Sequence, residues 1–130
     1  MQSKPQQIAL VVDDSMLIRH AVCRFLEQRD FSVASAANGV EAMQILSNVL
    51  PDLIVTDLMM PKMTGSELIT AVKANPRMAR IPVVVLAGRS SASEMKPEGR
   101  ADYVIFKDIE IEEQLGKALA MTLGQKTAVT

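Results

Sequence analysis

Pro51 to Gly65 reads PDLIVTDLMMPKMTG, an apolar run that ends on a carboxylate and is followed by two methionines and a proline. A short stretch rich in Leu, Ile and Val, bounded by turn residues, predicts a strand covered on both faces. Asp57 therefore stands at the carboxyl end of a buried strand, and the rest of the chain must explain what surrounds it.

Working outward, Ile8 to Val12 is another unbroken apolar run, stopping at Asp13-Asp14-Ser15. Leu17, Ile18, Ala21, Val22, Phe25 and Leu26 then recur at helical spacing, with Ser15 as the expected N-cap. Phe31 to Ala36 predicts a second strand, and Asn38-Gly39 opens a helix with Ala42, Ile45, Leu46 and Val49 on one face. After strand three (Leu53 to Asp57), Leu68, Ile69 and Val72 mark a helix that Asn75-Pro76 ends. Val83 to Ala87 is strand four and Tyr103 to Phe106 is strand five. A last helix turns Leu115, Ala118, Leu119 and Thr122 inward.

Strands alternating with helices predict an α/β fold, a doubly wound parallel sheet with helices on both faces. Ligands bind such sheets outside the carboxyl ends of the strands, where the strand order reverses. Asp13, Asp14, Asp57 and Lys107 all fall on that rim.

At 130 residues the chain is about one domain long. Residues 8–123 are expected to form it, with polar tails at 1–7 and 124–130. Fourteen basic residues against 15 acidic give a net charge of −1, which encodes no general attraction to nucleic acid or an anionic membrane. Cys23 is the only cysteine, so an internal disulfide and any CxxC motif are excluded. With no signal-like or membrane-spanning run, a cytoplasmic location is expected.

Three carboxylates converging from two strand ends raise one another's pKa unless a cation intervenes. Mg²⁺ suits oxygen ligands and typically takes one or two carboxylates while keeping waters. An acidic cluster faced by one lysine is therefore a place for a metal ion and a phosphoryl group. Asp57 would be the nucleophile, with the metal and Lys107 neutralising transferred charge. Taken singly, each aspartate also fits a turn or a helix cap; the coincidence of all four groups on one rim favours the site.

The pieces VVDDSMLIR, AANGVEAM, PDLIVTDLMMPKMTGSEL, IPVVVL and ADYVIFK, spread from Ile8 to about Leu123, are similar to the response regulator receiver domain of two-component signalling. The resemblance implies a flavodoxin-like five-stranded sheet in the order 2-1-3-4-5. It implies Asp57 as phosphoacceptor, supplied by a histidine kinase or a histidine phosphotransfer domain. It further implies Mg²⁺ held by Asp13, Asp14, Asp57 and the Met59 backbone carbonyl, and Lys107 paired with the phosphoryl oxygens. Pro61 and Gly65 match the loop leaving the site, where glycine's backbone freedom fits a tight turn.

Three positions depart from that family. Receivers usually carry Thr or Ser at the end of strand four, where this chain has Ala87, which donates no hydrogen bond; Gly88 still offers its backbone N–H to a phosphoryl group. The usual aromatic switch residue is replaced by Val104, and Tyr103 should point to the opposite face. Asp108 follows Lys107 where the family has proline and a cis bond, which before any other residue costs about 2.5–4 kcal/mol. Between strands four and five, Pro97 and Gly99 predict a short or irregular helix. Output is expected to be atypical, running through Arg89, Ser90 and the loop that follows.

Two other classes compete. A pseudo-receiver would keep the fold and bind a partner without phosphorylation, as Ala87 and Val104 favour. A phosphohydrolase of the haloacid dehalogenase type would need a D-x-D pattern on strand one, where this chain has adjacent aspartates. GxGxxG and GxxxxGK[ST] are both absent from the first strand-to-helix turn. His20 is expected on the polar side of its helix, Cys23 as an inert small side chain, and most methionines as core fillers. Met59 and Met60 are expected to line the rim beside Asp57.

Overall fold

The computed structural model describes residues 7–58, 63–88, 101–107 and 110–123. They form β1 (Gln7–Val12), α1 (Met16–Glu27), β2 (Phe31–Ala36), α2 (Gly39–Leu46), β3 (Leu53–Asp57), α3 (Gly65–Ala74), β4 (Val83–Ala87), β5 (Tyr103–Phe106) and α4 (Ile111–Leu123). All strands are parallel in one sheet ordered β2-β1-β3-β4-β5, the flavodoxin-like order that the sequence resemblance implies. The irregular helix expected between β4 and β5, and with it Arg89 and Ser90, lies outside the described residues.

The two faces of the sheet bury separate sets of side chains. Leu10, Val12, Ile54, Val83, Val85 and Ala87 point toward α2 and α3, where Leu46, Leu68, Ile69 and Val72 meet them. Ala9, Val11, Leu53, Val55, Leu86 and Ile105 point toward α1 and α4, against Val22, Phe25, Leu26, Leu115 and Leu119. β1, β3 and β4 are apolar without alternation because both of their faces are covered. β2, at one edge, alternates more and exposes Ser32 and Ser35.

Side-chain caps start the first three helices. Ser15 Oγ accepts the Ile18 N–H at 3.3 Å, and Asn38 Oδ1 accepts the Glu41 N–H at 2.9 Å. Thr64 and Glu67 cap each other reciprocally, with Glu67 N–H to Thr64 Oγ1 at 3.1 Å and Thr64 N–H to Glu67 Oε1 at 2.9 Å. α3 ends at Asn75, as the Asn-Pro pair predicts.

Several side-chain expectations are corrected. Leu17 is 79% exposed and Ala21 is exposed, so the inner stripe of α1 is Ile18, Val22, Phe25 and Leu26. α2 stops at Leu46, leaving Val49 beyond the helix. Among the described methionines only Met78 is buried; Met43 and Met63 are partly buried, and Met16 and Met121 are exposed. Among the described residues no helix is long and apolar enough to cross a membrane.

Candidate functional site

The register brings the strand ends level. Val12 pairs with Thr56, Asp57 with Leu86, and Ala87 with Phe106, so the residues that follow β1, end β3 and follow β5 share one rim. There Asp13, Asp14 and Asp57 each present a carboxylate oxygen, all within 4.8 Å of one another. Lys107 reaches in from β5, its Nζ 2.9 Å from Asp57 Oδ1 and 3.2 Å from Asp13 Oδ2.

Local chemistry fixes each of these groups. Asp13 is fully buried; its N–H donates to the Ala36 carbonyl at 3.1 Å, and its carbonyl accepts from Arg19 Nη1 at 2.8 Å. Its Oδ1 accepts the Ser15 N–H at 2.8 Å. With Ser15 capping α1, neither aspartate is consumed as the cap. Asp14, next in the chain, is exposed. Asp57 is buried, and Leu58 N–H donates to the Leu86 carbonyl at 3.1 Å, tying the turn after β3 to β4.

Gly65 belongs to the site for a reason other than backbone angles. A Cβ there would lie 2.3 Å from the Asp57 carbonyl oxygen and 2.8 Å from Leu58 Cα, so a side chain would collide with the strand end itself. The Gly65 N–H donates to the Leu58 carbonyl at 2.8 Å, closing the loop tightly against Asp57.

Burial pushes the Asp57 carboxyl above its ordinary value; the Lys107 hydrogen bond opposes this, and the charges of Asp13 and Asp14 add to it. For Lys107, burial favours the neutral amine, yet the Asp57 hydrogen bond and the Asp13 charge outweigh it and the net direction is upward. The cleft therefore favours the charged form of Lys107 while working against the charged form of Asp57.

The donor set fits a hard divalent cation. Every candidate ligand atom is a carboxylate oxygen, and Asp13 Oδ2 is buried without a hydrogen bond, the Lys107 ammonium being within ion-pair reach but not aligned to donate. Met59, Met60, Pro61 and Asp108, and with them the Lys107-Asp108 bond, lie outside the described residues. Gly88 is half-buried at the end of β4.

Ala87 and Val104 lie on the α2–α3 side of the sheet, both packed in apolar surroundings, whereas Tyr103 packs on the α1–α4 side. His20 is exposed, outside the cluster. Cys23 is partly buried; burial pushes its thiol up, the nearby Glu27 adds to this and Arg19 opposes it, so it stays protonated at neutral pH.

Sequence reasoning passed over Arg19, Gln114 and the Thr64–Glu67 box. Thr-Gly-Ser-Glu before an apolar helix was a readable signal for the last. Arg19 and Gln114 act on backbone carbonyls, which leave no mark in a pattern of side chains.

The response regulator receiver domain model matches residues 9–120. The chain is 34% identical over 114 residues to the response regulator MprA of Mycobacterium sp. (strain KMS), covering 86% of this chain and 49% of that protein. It thus spans about half the length of that relative. Among solved structures, the signal receiver domain of a signal transduction histidine kinase from Syntrophus aciditrophicus is 29% identical with a TM-score of 0.81, covering 92% of each chain. The receiver domain of sensor histidine kinase PA1611 from Pseudomonas aeruginosa PAO1, solved with a magnesium ion in its active site cleft, shares the fold at 19% identity and a TM-score of 0.83, over 93% of this chain and 100% of that one. Fold, strand-end carboxylates and family match agree, and the chain belongs to the response regulator receiver domain family.

Proposed function

We propose that the chain is a phosphoacceptor of a two-component or phosphorelay pathway, modified on Asp57. The observation that carries this reading is the Lys107 ammonium bridging Asp57 and Asp13 at 2.9 and 3.2 Å beside a third carboxylate. Asp13, Asp14, Asp57 and the Met59 carbonyl would hold Mg²⁺, as the all-oxygen cluster suits and as the magnesium-bearing relative supports. When bound, the ion would neutralise charge on the phosphoryl oxygens.

An Asp57 carboxylate oxygen attacks phosphorus while the bond from phosphorus to the donor's imidazole nitrogen breaks. The bonding pair leaves with that nitrogen, the proton on the donor's other ring nitrogen makes the product a neutral histidine, and Asp57 becomes an aspartyl-phosphate. Lys107 keeps its charge throughout and turns from the carboxylate to a phosphoryl oxygen, with the Gly88 N–H as a further donor. The donor class is a histidine kinase or a histidine phosphotransfer domain.

Output follows an atypical route. Ala87 cannot follow the phosphoryl group with a hydroxyl, and Val104 has no ring to swing inward. The same two residues favour a second reading, a pseudo-receiver that binds its partner without being phosphorylated. Incubation with Mg²⁺ and acetyl phosphate decides between them: intact-mass analysis is expected to show one added phosphoryl group, lost in Asp57→Asn. A chain that stays unlabelled while an ordinary receiver in the same tube is labelled supports the pseudo-receiver instead.

A further inference from the structure

β5 is an edge strand, so one side of its backbone has no neighbouring strand among the described residues. At Phe106 that side is taken by a side chain from the first turn of α4. Phe106 N–H donates to Gln114 Oε1 at 3.1 Å, and Gln114 Nε2 donates to the Phe106 carbonyl at 2.9 Å. The primary amide thus imitates one rung of a sixth strand.

The Phe106 carbonyl and the Lys107 N–H belong to one peptide plane. On the other side that N–H donates to the Ala87 carbonyl at 2.9 Å. The plane from which Lys107 springs is therefore gripped from both sides, by β4 and by Gln114. Gln114 is itself anchored: its N–H donates to the Glu110 carbonyl at 3.2 Å, its Nε2 shares that carbonyl at 3.3 Å, and the next residue, Leu115, is fully buried.

We infer that Gln114 is a positioning residue, acting through the backbone of Phe106 to aim the Lys107 ammonium at Asp57. Without it the outward half of the grip is gone, and Lys107 samples orientations in which it no longer meets the acidic cluster. The consequence for phosphoryl transfer rests on the reading of Asp57 as phosphoacceptor; the grip itself does not.

Gln114→Leu keeps the bulk and removes both hydrogen bonds to Phe106 along with the one to the Glu110 carbonyl, while Gln114→Glu keeps an acceptor and loses the donor. In Gln114→Leu the Lys107 amide keeps its own bond to the Ala87 carbonyl but is expected to exchange with solvent about tenfold faster relative to the amides of β1, because its peptide plane is then held from the β4 side alone. Labelling by acetyl phosphate is expected to slow about tenfold with Mg²⁺ affinity unchanged, because the carboxylates sit on β1 and β3. Gln114→Glu should fall between wild type and Gln114→Leu on both measures.

A merely structural role is separated by a second background. If Gln114 works through Lys107, adding Gln114→Leu to Lys107→Ala slows labelling no further. An equal slowing in both backgrounds, or unchanged Lys107 exchange in Gln114→Leu, overturns the inference. If wild type is not labelled at all, the phosphoacceptor reading fails and Lys107 exchange alone decides for or against the grip.

Discussion

At neutral pH the Asp57 carboxylate ionises in a place from which water has largely been removed and where Asp13 and Asp14 repel it. Its pKa is raised, so the folded state holds the proton more tightly than the unfolded chain does. Stability is then greatest below the ordinary carboxylate range, falls as pH rises through the raised value, and stays reduced above it. Lys107 has the same sense in a higher window: its raised pKa stabilises the fold below the ordinary lysine value, and that contribution is lost only as pH climbs through the raised one. Around pH 7 the ionised Asp57 is the liability. Asp57→Asn is therefore expected to melt at a higher temperature than wild type at pH 7 without metal, with the gain shrinking as pH falls toward 4. Mg²⁺ should stabilise wild type more than the variant, since it binds the folded cluster alone. A variant that melts lower than wild type at pH 7 in chelator would overturn this account of Asp57.

Elements differ in how far the sequence reveals them. β3 and β4 were legible to the residue because two covered faces leave a largely apolar run, and the end of α3 was legible because Asn75-Pro76 stops it. The face of α1 was misread at Leu17 and Ala21, which are apolar by type but exposed on the helix. Gly65 was legible as special, but the cause was not. A turn would require unusual backbone angles, whereas the structure requires closeness between α3 and the end of β3. Closeness involves residues across space, which one chain read in order does not display. The two causes predict different outcomes for alanine. At Gly65 the methyl would meet backbone that cannot swing aside, so Gly65→Ala is expected to cost at least about 2 kcal/mol in urea unfolding and to slow Asp57 labelling. At Gly116, inside α4, a Cβ meets nothing within 4 Å. Gly116→Ala should instead stabilise by about 0.5–1 kcal/mol through helix propensity alone. Equal effects at the two positions would contradict the packing described.

Across the whole molecule, the site is legible because a parallel sheet delivers every strand's carboxyl end to one rim, so Asp13, Asp57 and Lys107 meet although 44 and 50 residues separate them in sequence. What supports the site was less legible: the Arg19 and Gln114 side chains bind main-chain atoms, and main chain is the same at every position. The sheet also decides how a chemical event at the rim could spread. Ala87 and Val104 sit among the apolar side chains over α2 and α3, and neither of the two carries a hydroxyl or a ring. A phosphoryl group carried on Asp57, as proposed, would meet the Lys107 ammonium at the rim but no polar side chain at position 87 to follow it. Amide shifts on adding beryllofluoride and Mg²⁺ are expected at Asp13 to Ser15, Asp57, Leu58, Gly88 and Lys107, with little change from Tyr103 to Ile105. Ala87→Thr supplies the missing hydroxyl and should extend the shifts into β5, at an overpacking cost of about 1–3 kcal/mol because Ala87 is fully buried. Wild-type shifts as large at Val104 as at the rim would show that the apolar pair transmits the event after all, and the atypical route proposed for this chain would have to be abandoned.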